Sequence, residues 1–496
     1  MDVIMQAVVN VFTPLNFGGI LFGTFVGIVI GALPGLSVNM GIALLFPLTF
    51  SFQGVGGILM LLGIYCGAIY GGSISAILLN TPGTPASAAT TLEGYPMAVK
   101  HGQPGRALGL STYASLFGGI FSAICLVLLA PKLASVAVTF SKPEYFALAV
   151  FGISIITSVS GKSVTKGLMG GLLGLFIATI GIDSISGKIR FTGGFSYLLG
   201  GLSFIPILIG LFAFSQVLLT VEESFHEEKK PEKVKIDRIF PSLNDLKTTF
   251  ISTFRSSIIG TFIGCVPGTG GDIASFISYD QARKWSRKKE NFGNGEPDGL
   301  VAPEAGKNAV SGGALIPMLT LGIPGDGATA IMLGALMVQG LQPGPLLFVE
   351  QAPQVYSIFL GLLVANIVMG LFGFSLIKVF AKVMNIPKGI LVPIIFVLTF
   401  VGAYAYNNSL IDVFVMVSFG FIGYFINKLE FSNSAIVIGI ILGSLAETNF
   451  RGALMMSAGS FSIFATHRVC LIFLIISAGS LLAPVLGTVL KMRYEA

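Results

Sequence analysis

Four Pro-Gly pairs interrupt apolar stretches of this 496-residue chain: Pro34-Gly35, Pro82-Gly83, Pro267-Gly268 and Pro324-Gly325. Proline lacks a backbone N–H and disfavours helix in the residue before it, and glycine admits left-handed angles. Together they stop one helix and start another. Small polar residues follow each pair: Ser37 and Asn39; Thr84, Ser87 and Thr90; Thr269, Gly270, Gly271 and Asp272; Asp326, Gly327 and Thr329. Thr81 precedes the second pair. The first turn of a helix offers free N–H groups and the positive end of the dipole, which together suit a carboxylate. Ser37, Asn39, Thr81, Thr84, Ser87, Thr269, Gly270 and Gly271 are therefore the expected substrate-binding residues. Ordinary turns with N-capping side chains are the alternative.

Two of the breaks carry an acid. Asn39 aligns with Asp272 and Thr84 with Asp326, so the second half has carboxylates where the first has neutral groups. A carboxylate within a membrane is costly unless paired, protonated or bound to a cation. Asp272 and Asp326 are the candidates for holding a coupling Na⁺ or H⁺; N-capping at an exposed loop is the competing role. No other cofactor or metal is expected. Cys66, Cys125, Cys265 and Cys470 have no ligand spacing, and His101, His226 and His467 have no catalytic partners in sequence. An enzyme is not expected.

The elements that position these residues must lie in lipid. Apolar residues make up 53% of the chain, against 29 Lys/Arg and 23 Asp/Glu, and the mean hydropathy is +0.87. Residues 222–249 hold 13 of the charges and 280–307 hold 11. Such long uncharged stretches exclude a soluble enzyme, a disordered chain and a nucleic-acid binder. The net charge of +6 reads as Lys and Arg gathered in cytoplasmic loops. The expected fold is an all-α polytopic membrane protein with roughly 10–12 spans and some broken or re-entrant helices. Residues 1–221 form the first half, 222–249 a polar cytoplasmic linker with six Lys/Arg, and 250–496 the second half. The N-terminus lacks the basic region and cleavage site of a removable signal peptide.

The halves resemble each other. GIVIGALPG from Gly27 matches GTFIGCVPG from Gly260 at an offset of 233. GGSISAILLNTPGTPASA from Gly71 resembles GGALIPMLTLGIPGDGATA from Gly312 with one residue inserted, and GQPG at Gly102 resembles LQPG at Leu341. Three matches in one order indicate two related units. An odd number of spans per half inverts them, and inverted repeats are the expectation. A substrate site then falls where the halves meet, near the membrane midplane.

Other charged residues have plainer readings. Arg283, Lys284, Arg287, Lys288 and Lys289 read as a juxtamembrane basic helix that sets orientation. Glu304, Lys307 and Asn308 either reach the cavity or form a local i,i+3 pair. Glu447 and Arg451, at i,i+4, read as a structural ion pair.

These motifs resemble the large membrane subunit of tripartite tricarboxylate transporters, the TctA-type family. The resemblance rests on GALPGL (31–36), YGGSISAILLNTPGTPASAATTLEGYP (70–96), PGTGGDIASFISYDQARKWSRKKENFGNG (267–295), APEAGKNAVSGGALIPMLTLGIPG (302–325) and GLQPGP (340–345). AETNFRGALMMSAGS (446–460) matches the family's Glu–Arg motif less tightly. The resemblance implies a secondary transporter of the bacterial inner membrane. Its partners would be a periplasmic solute-binding protein and a small membrane subunit of four helices. Import of a citrate-like or related carboxylate would be driven by symport with Na⁺ or H⁺, not by ATP. A cation/proton antiporter or channel is the alternative. It would use the two acids but leave the polar helix starts without a role.

Overall fold

The structure is a computed structural model and describes residues 2–52, 54–159, 164–183, 185–223, 239–383 and 388–494. Most of the expected linker, 224–238, lies outside the described residues. The helices of the first half are α1 (Asp2–Phe12), α2 (Pro14–Ala32), α3 (Val38–Leu45), α4 (Gly56–Leu79), α5 (Thr91–Tyr95), α6 (Pro104–Ala137), α7 (Lys142–Val159), α8 (Val164–Ala178), α9 (Phe204–Leu208) and α10 (Ser215–Glu223). The second half contributes α11 (Leu243–Cys265), α12 (Gly270–Trp285), α13 (Pro297–Leu321), α14 (Gly327–Val338), α15 (Leu347–Glu350), α16 (Ala352–Ser375), α17 (Ile377–Val383), α18 (Lys388–Asn407), α19 (Leu410–Lys428), α20 (Asn433–Met456), α21 (Ile463–Thr466) and α22 (Arg468–Tyr494). One short antiparallel ribbon, β1 (Gly181–Ile182) with β2 (Ile189–Arg190), departs from a purely helical fold.

Seven helices among the described residues are long and apolar enough to cross a membrane, and six shorter apolar helices accompany them. The central α13 is not among the seven. α13 has 25 residues, about 38 Å at 1.5 Å per residue, but it carries polar groups that lipid would not tolerate. Protein covers them: every residue from Gly299 to Thr320 is buried, as is α4 from Gly56 to Leu78. The two helices form the centre of the molecule, and large apolar side chains on α6, α11, α16 and α19 face outward, as a lipid-facing surface requires.

Small residues let backbones approach closely. A methyl group added to Gly27 or Gly31 of α2 would lie 2.5 or 2.3 Å from the carbonyl oxygens of Ile64 and Ala68 in α4. One added to Gly260 or Gly264 of α11 would lie 2.0 or 2.8 Å from those of Gly306 and Val310 in α13. Without a hydrophobic drive between helices in lipid, such packing is what binds them. The same contacts recur at offsets of 233 for α2/α11 and 242 for α4/α13. Gly71 and Gly313 also correspond, against the carbonyls of Ile28 and Thr261. This corrects the sequence alignment, which paired Gly71 with Gly312. The offset is constant along α4 and α13, and no residue is inserted within the helix.

α4 and α13 run antiparallel. Ser73, late in α4, bonds Glu304, early in α13, whereas Tyr65, earlier in α4, bonds Asp326 beyond the end of α13.

Candidate helix-break site

The first and third breaks have one geometry. α2 ends on Leu33 (φ −86°, ψ 115°), whose N–H donates to the Ile30 carbonyl. α11 ends on Val266 (φ −88°, ψ 114°), whose N–H donates to that of Ile263. The glycines that follow adopt left-handed angles, Gly35 at φ +90° and Gly268 at φ +81°. Only glycine takes these without strain.

The four breaks meet. Within the first half, a methyl on Gly83 would lie 2.0 Å from the Gly31 carbonyl. Within the second, the Gly268 N–H donates to the Gly325 carbonyl at 2.5 Å. Two further contacts join the halves. A methyl on Gly327 would lie 2.4 Å from the Asn39 amide nitrogen, and one on Gly271 would lie 3.2 Å from the Ala86 Cβ. The ring of contacts runs from break one to two, two to three, three to four and four back to one. Gly83, Gly268 and Gly325 are thereby buried in protein, while Gly35 and Thr81 stay exposed; irregular backbone in a membrane survives only inside protein or beside a water-filled cavity.

Several of the expected ligands serve their own turns. Ser37 caps α3 by accepting from the Met40 N–H. Asp326 caps α14, where its Oδ1 accepts from the Thr329 N–H and hydroxyl. Its Oδ2 accepts from the Tyr65 hydroxyl at 2.5 Å. Thr84 and Ser87 are fully enclosed and bond each other. Thr81 is exposed and donates to the Leu79 carbonyl. Thr269 donates to the carbonyls of Ile263 and Val266, closing the end of α11. Short polar side chains compete for local backbone groups in this way. Pro34 and Pro82 are partly accessible, and Pro267 and Pro324 are buried.

The second break also departs from expectation. Pro82-Gly83 does not open a half-helix. The chain makes a single 3-10 turn at Pro85–Ser87 and then the five-residue α5. Helical backbone continues past Pro96 as a π-turn over Pro96–Lys100.

One helix start keeps its N–H groups. Thr269, the N-cap of α12, makes no side-chain cap bond. Gly270 and Gly271 form the first turn with no side chain in the way, and Asp272 follows. Asp272 is accessible to water although protein surrounds it, and it lies within electrostatic reach of Asp326. Its carboxylate has no side-chain hydrogen-bond or salt-bridge partner among the described residues.

Sequence reasoning missed several polar groups around the breaks. Tyr65 carried no signal beyond a hydroxyl within an apolar run. Glu93 is fully buried and accepts from the Tyr279 hydroxyl and the N–H groups of Gly293, Gly295 and Glu296. It thus ties the segment after the second break to the α12–α13 loop. The Glu304–Lys307 pair, left open in sequence, is a salt bridge at 2.9 Å with both side chains wholly enclosed. The Glu447–Arg451 pair is present at 3.3 Å and extends to Arg190 and Asp183 at the β-ribbon.

Broken helices that gather at the junction of two antiparallel helices are a feature of secondary-transporter folds. The family model for the tripartite tricarboxylate transporter TctA family matches residues 17–438, and the chain belongs to that family. It is similar to an uncharacterized 52.8 kDa protein of the TAR-I ttuC′ 3′ region of Agrobacterium vitis. That relative is 34% identical over 481 residues, covering 97% of this chain and 95% of the relative. An uncharacterized protein of the TAR-II ttuC′ 3′ region of the same organism is 31% identical over 210 residues, 42% of this chain and 87% of the relative. No solved structure matches.

Proposed function

We propose that the chain is the large subunit of a binding-protein-dependent secondary transporter of the bacterial inner membrane, importing a carboxylate by symport with Na⁺ or H⁺. The observation that carries this reading is the ring of contacts among the four breaks, through Gly31–Gly83, Ala86–Gly271, Gly268–Gly325 and Asn39–Gly327. The substrate carboxylate docks on the uncapped first turn of α12, at Gly270 and Gly271, with Asn39 and the Thr81–Ser87 turn alongside. Asp272 holds the coupling ion, with Asp326 supporting it from the cap of α14. A periplasmic solute-binding protein delivers the substrate, and a small four-helix membrane subunit completes the assembly.

The two halves are inverted repeats in this reading. The recurrence of the glycine contacts at constant offsets and the antiparallel course of α4 and α13 support it. Inversion gives one site two exchangeable exits, the basis of alternating access.

Uptake of radiolabelled carboxylates into membrane vesicles tests the proposal, with and without an Na⁺ gradient, a proton gradient and the binding protein. Ion-driven, binding-protein-dependent accumulation is expected. Ion flux with no carboxylate uptake would favour an antiporter or channel instead.

A further inference from the structure

Lys307 carries the only fully buried cationic side chain among the described residues. It stands at the seam between the halves. Its Nζ donates to Ser73 on α4 at 2.6 Å, to Glu304 Oε1 at 2.9 Å and to Thr90 at 3.4 Å. Glu304 Oε1 also accepts from Thr90 at 2.5 Å. Its Oε2 accepts from Ser73, Ser111 and Ser115 at 2.8, 2.9 and 3.0 Å. The second half supplies the two charges, and the first half supplies the four hydroxyls. The stem of Lys307 backs onto the proposed substrate site: a methyl on Gly271 would lie 3.6 Å from the Lys307 Cβ.

Stability does not account for such a pair. Desolvating two charges costs several kcal/mol each, and well-packed apolar residues often do as well or better. Ionisable groups inside a membrane ordinarily serve transport. We propose that Lys307 is the counter-ion for a carboxylate group of the substrate, and that Glu304 is the proton carrier that releases it. This rests on the carboxylate-transport reading above, and it adds a proton to whatever ion Asp272 holds.

The charge balance is simple. In a low-dielectric interior one ammonium neutralises one carboxylate. When the substrate carboxylate takes Lys307, Glu304 keeps only hydroxyl partners, and its carboxylate binds one proton from the entry side. Serine and threonine hydroxyls donate to a carboxylate or turn to accept from a carboxylic acid, so the cage serves both states. When the substrate leaves, Lys307 returns to Glu304 and the proton departs on the exit side. The flexible four-carbon stem of lysine permits the exchange.

Other titratable groups on the elements around α13 are already engaged. Tyr70 on α4 bonds Thr112 on α6. Cys66 on α4 lies with Ser311 and Asn366. Glu93 on α5 is held by Tyr279 of α12 and by backbone N–H groups. Asp326 before α14 is held by Tyr65 and Thr329. Arg255 on α11 lies over the Trp285 ring and faces Asp298 at the start of α13. Asp245 on α11 pairs with Arg106 on α6, and Asp280 pairs with Lys284 along α12. Asp272 on α12 is the remaining acid on these elements among the described residues, and it opens to water.

The test is uptake of radiolabelled citrate, malate and succinate into vesicles containing the whole transporter. Wild type is compared with Glu304→Gln, Lys307→Gln and the double variant, which leaves no unpaired buried charge. One coupled proton makes an inward gradient of one pH unit worth about a tenfold rise in accumulation. Glu304→Gln is expected to lose that tenfold response while still exchanging substrate across the membrane. Lys307→Gln and the double variant are expected to raise the half-saturating concentration by about tenfold or more. An undiminished pH-gradient response in Glu304→Gln would overturn the proposal, as would an unchanged half-saturating concentration in the double variant. A wild-type protein that takes up none of the three acids would overturn the carboxylate reading along with it.

Discussion

Tyr65, in the middle of α4, donates its hydroxyl to Asp326, the N-cap of α14 in the opposite half of the chain, at 2.5 Å. The residue 242 positions after Tyr65 is Lys307, which reaches back across the same seam to Ser73 and Thr90. Equivalent positions on two antiparallel helices thus each extend a donor into the other half.

Tyr65→Phe removes one of these links without changing side-chain size. A hydrogen bond to a charged group contributes about 1.5–3 kcal/mol, so a fall of a few degrees in melting temperature is expected. Asp326 keeps its cap on Thr329, so the protein stays folded. The uptake rate should fall more steeply than stability, because the lost link joins the parts that must move. Melting and uptake measured on the same preparation check this.

Glycines at the breaks differ in why they are glycine. At Gly83 a methyl would lie 2.0 Å from the Gly31 carbonyl, a backbone atom that cannot yield. Gly83→Ala should exceed the ~1–3 kcal/mol of ordinary overpacking and abolish recovery of monodisperse protein. Gly35 has φ +90° and open space around it. Gly35→Ala should cost only about 1–2 kcal/mol of backbone strain and leave a recoverable protein. Size-exclusion profiles of the two variants separate the cases.

Asp183, in the loop beside β1, is held well below the usual carboxylate range by the Ser186 N–H, then by Arg451 and the Ile185 N–H. A lowered native value means the unfolded chain binds the proton more readily. The stabilisation is therefore complete above the ordinary value near ~3.9. It is lost as pH falls through the lower native one. Melting should be unaffected by this group between neutral and mildly acidic pH, then decline below about pH 4. Asp183→Asn should melt lower at neutral pH and show less of that acid decline.

Asp272→Asn tests the coupling ion. Uptake should persist but change its dependence on Na⁺ or on the proton gradient. Vesicle uptake across a series of Na⁺ concentrations reads this directly, and unaltered ion dependence would remove Asp272 from the role.

Much of this was legible in the sequence because its signals are local. Pro-Gly within an apolar run has few other meanings, and Leu33 and Val266 end their helices within two degrees of each other. Less legible was how the polar side chains are spent. Ser37 has the same composition signal whether it caps a helix or binds an anion, and Asp326 whether it caps a helix or holds a cation; both side chains make cap bonds here. Ser73, Ser111 and Ser115 are scattered hydroxyls in sequence and become a cage only when α4 and α6 close around α13. The alignment slipped at Gly71 because adjacent glycines match at either register, and only the carbonyls they touch decide between them.

The central claim is that the second and third breaks form one site between the halves. Gly271→Cys with Ala86→Cys tests it most directly, in a background where Cys66, Cys125, Cys265 and Cys470 are replaced. A Cβ at Gly271 would lie 3.2 Å from that of Ala86, close to the ~3.5–4.5 Å of a disulfide. The account predicts that mild oxidation in membranes cross-links the pair and stops carboxylate uptake, that reductant restores uptake, and that substrate slows the cross-linking. No cross-link, or full uptake by the cross-linked protein, would contradict it.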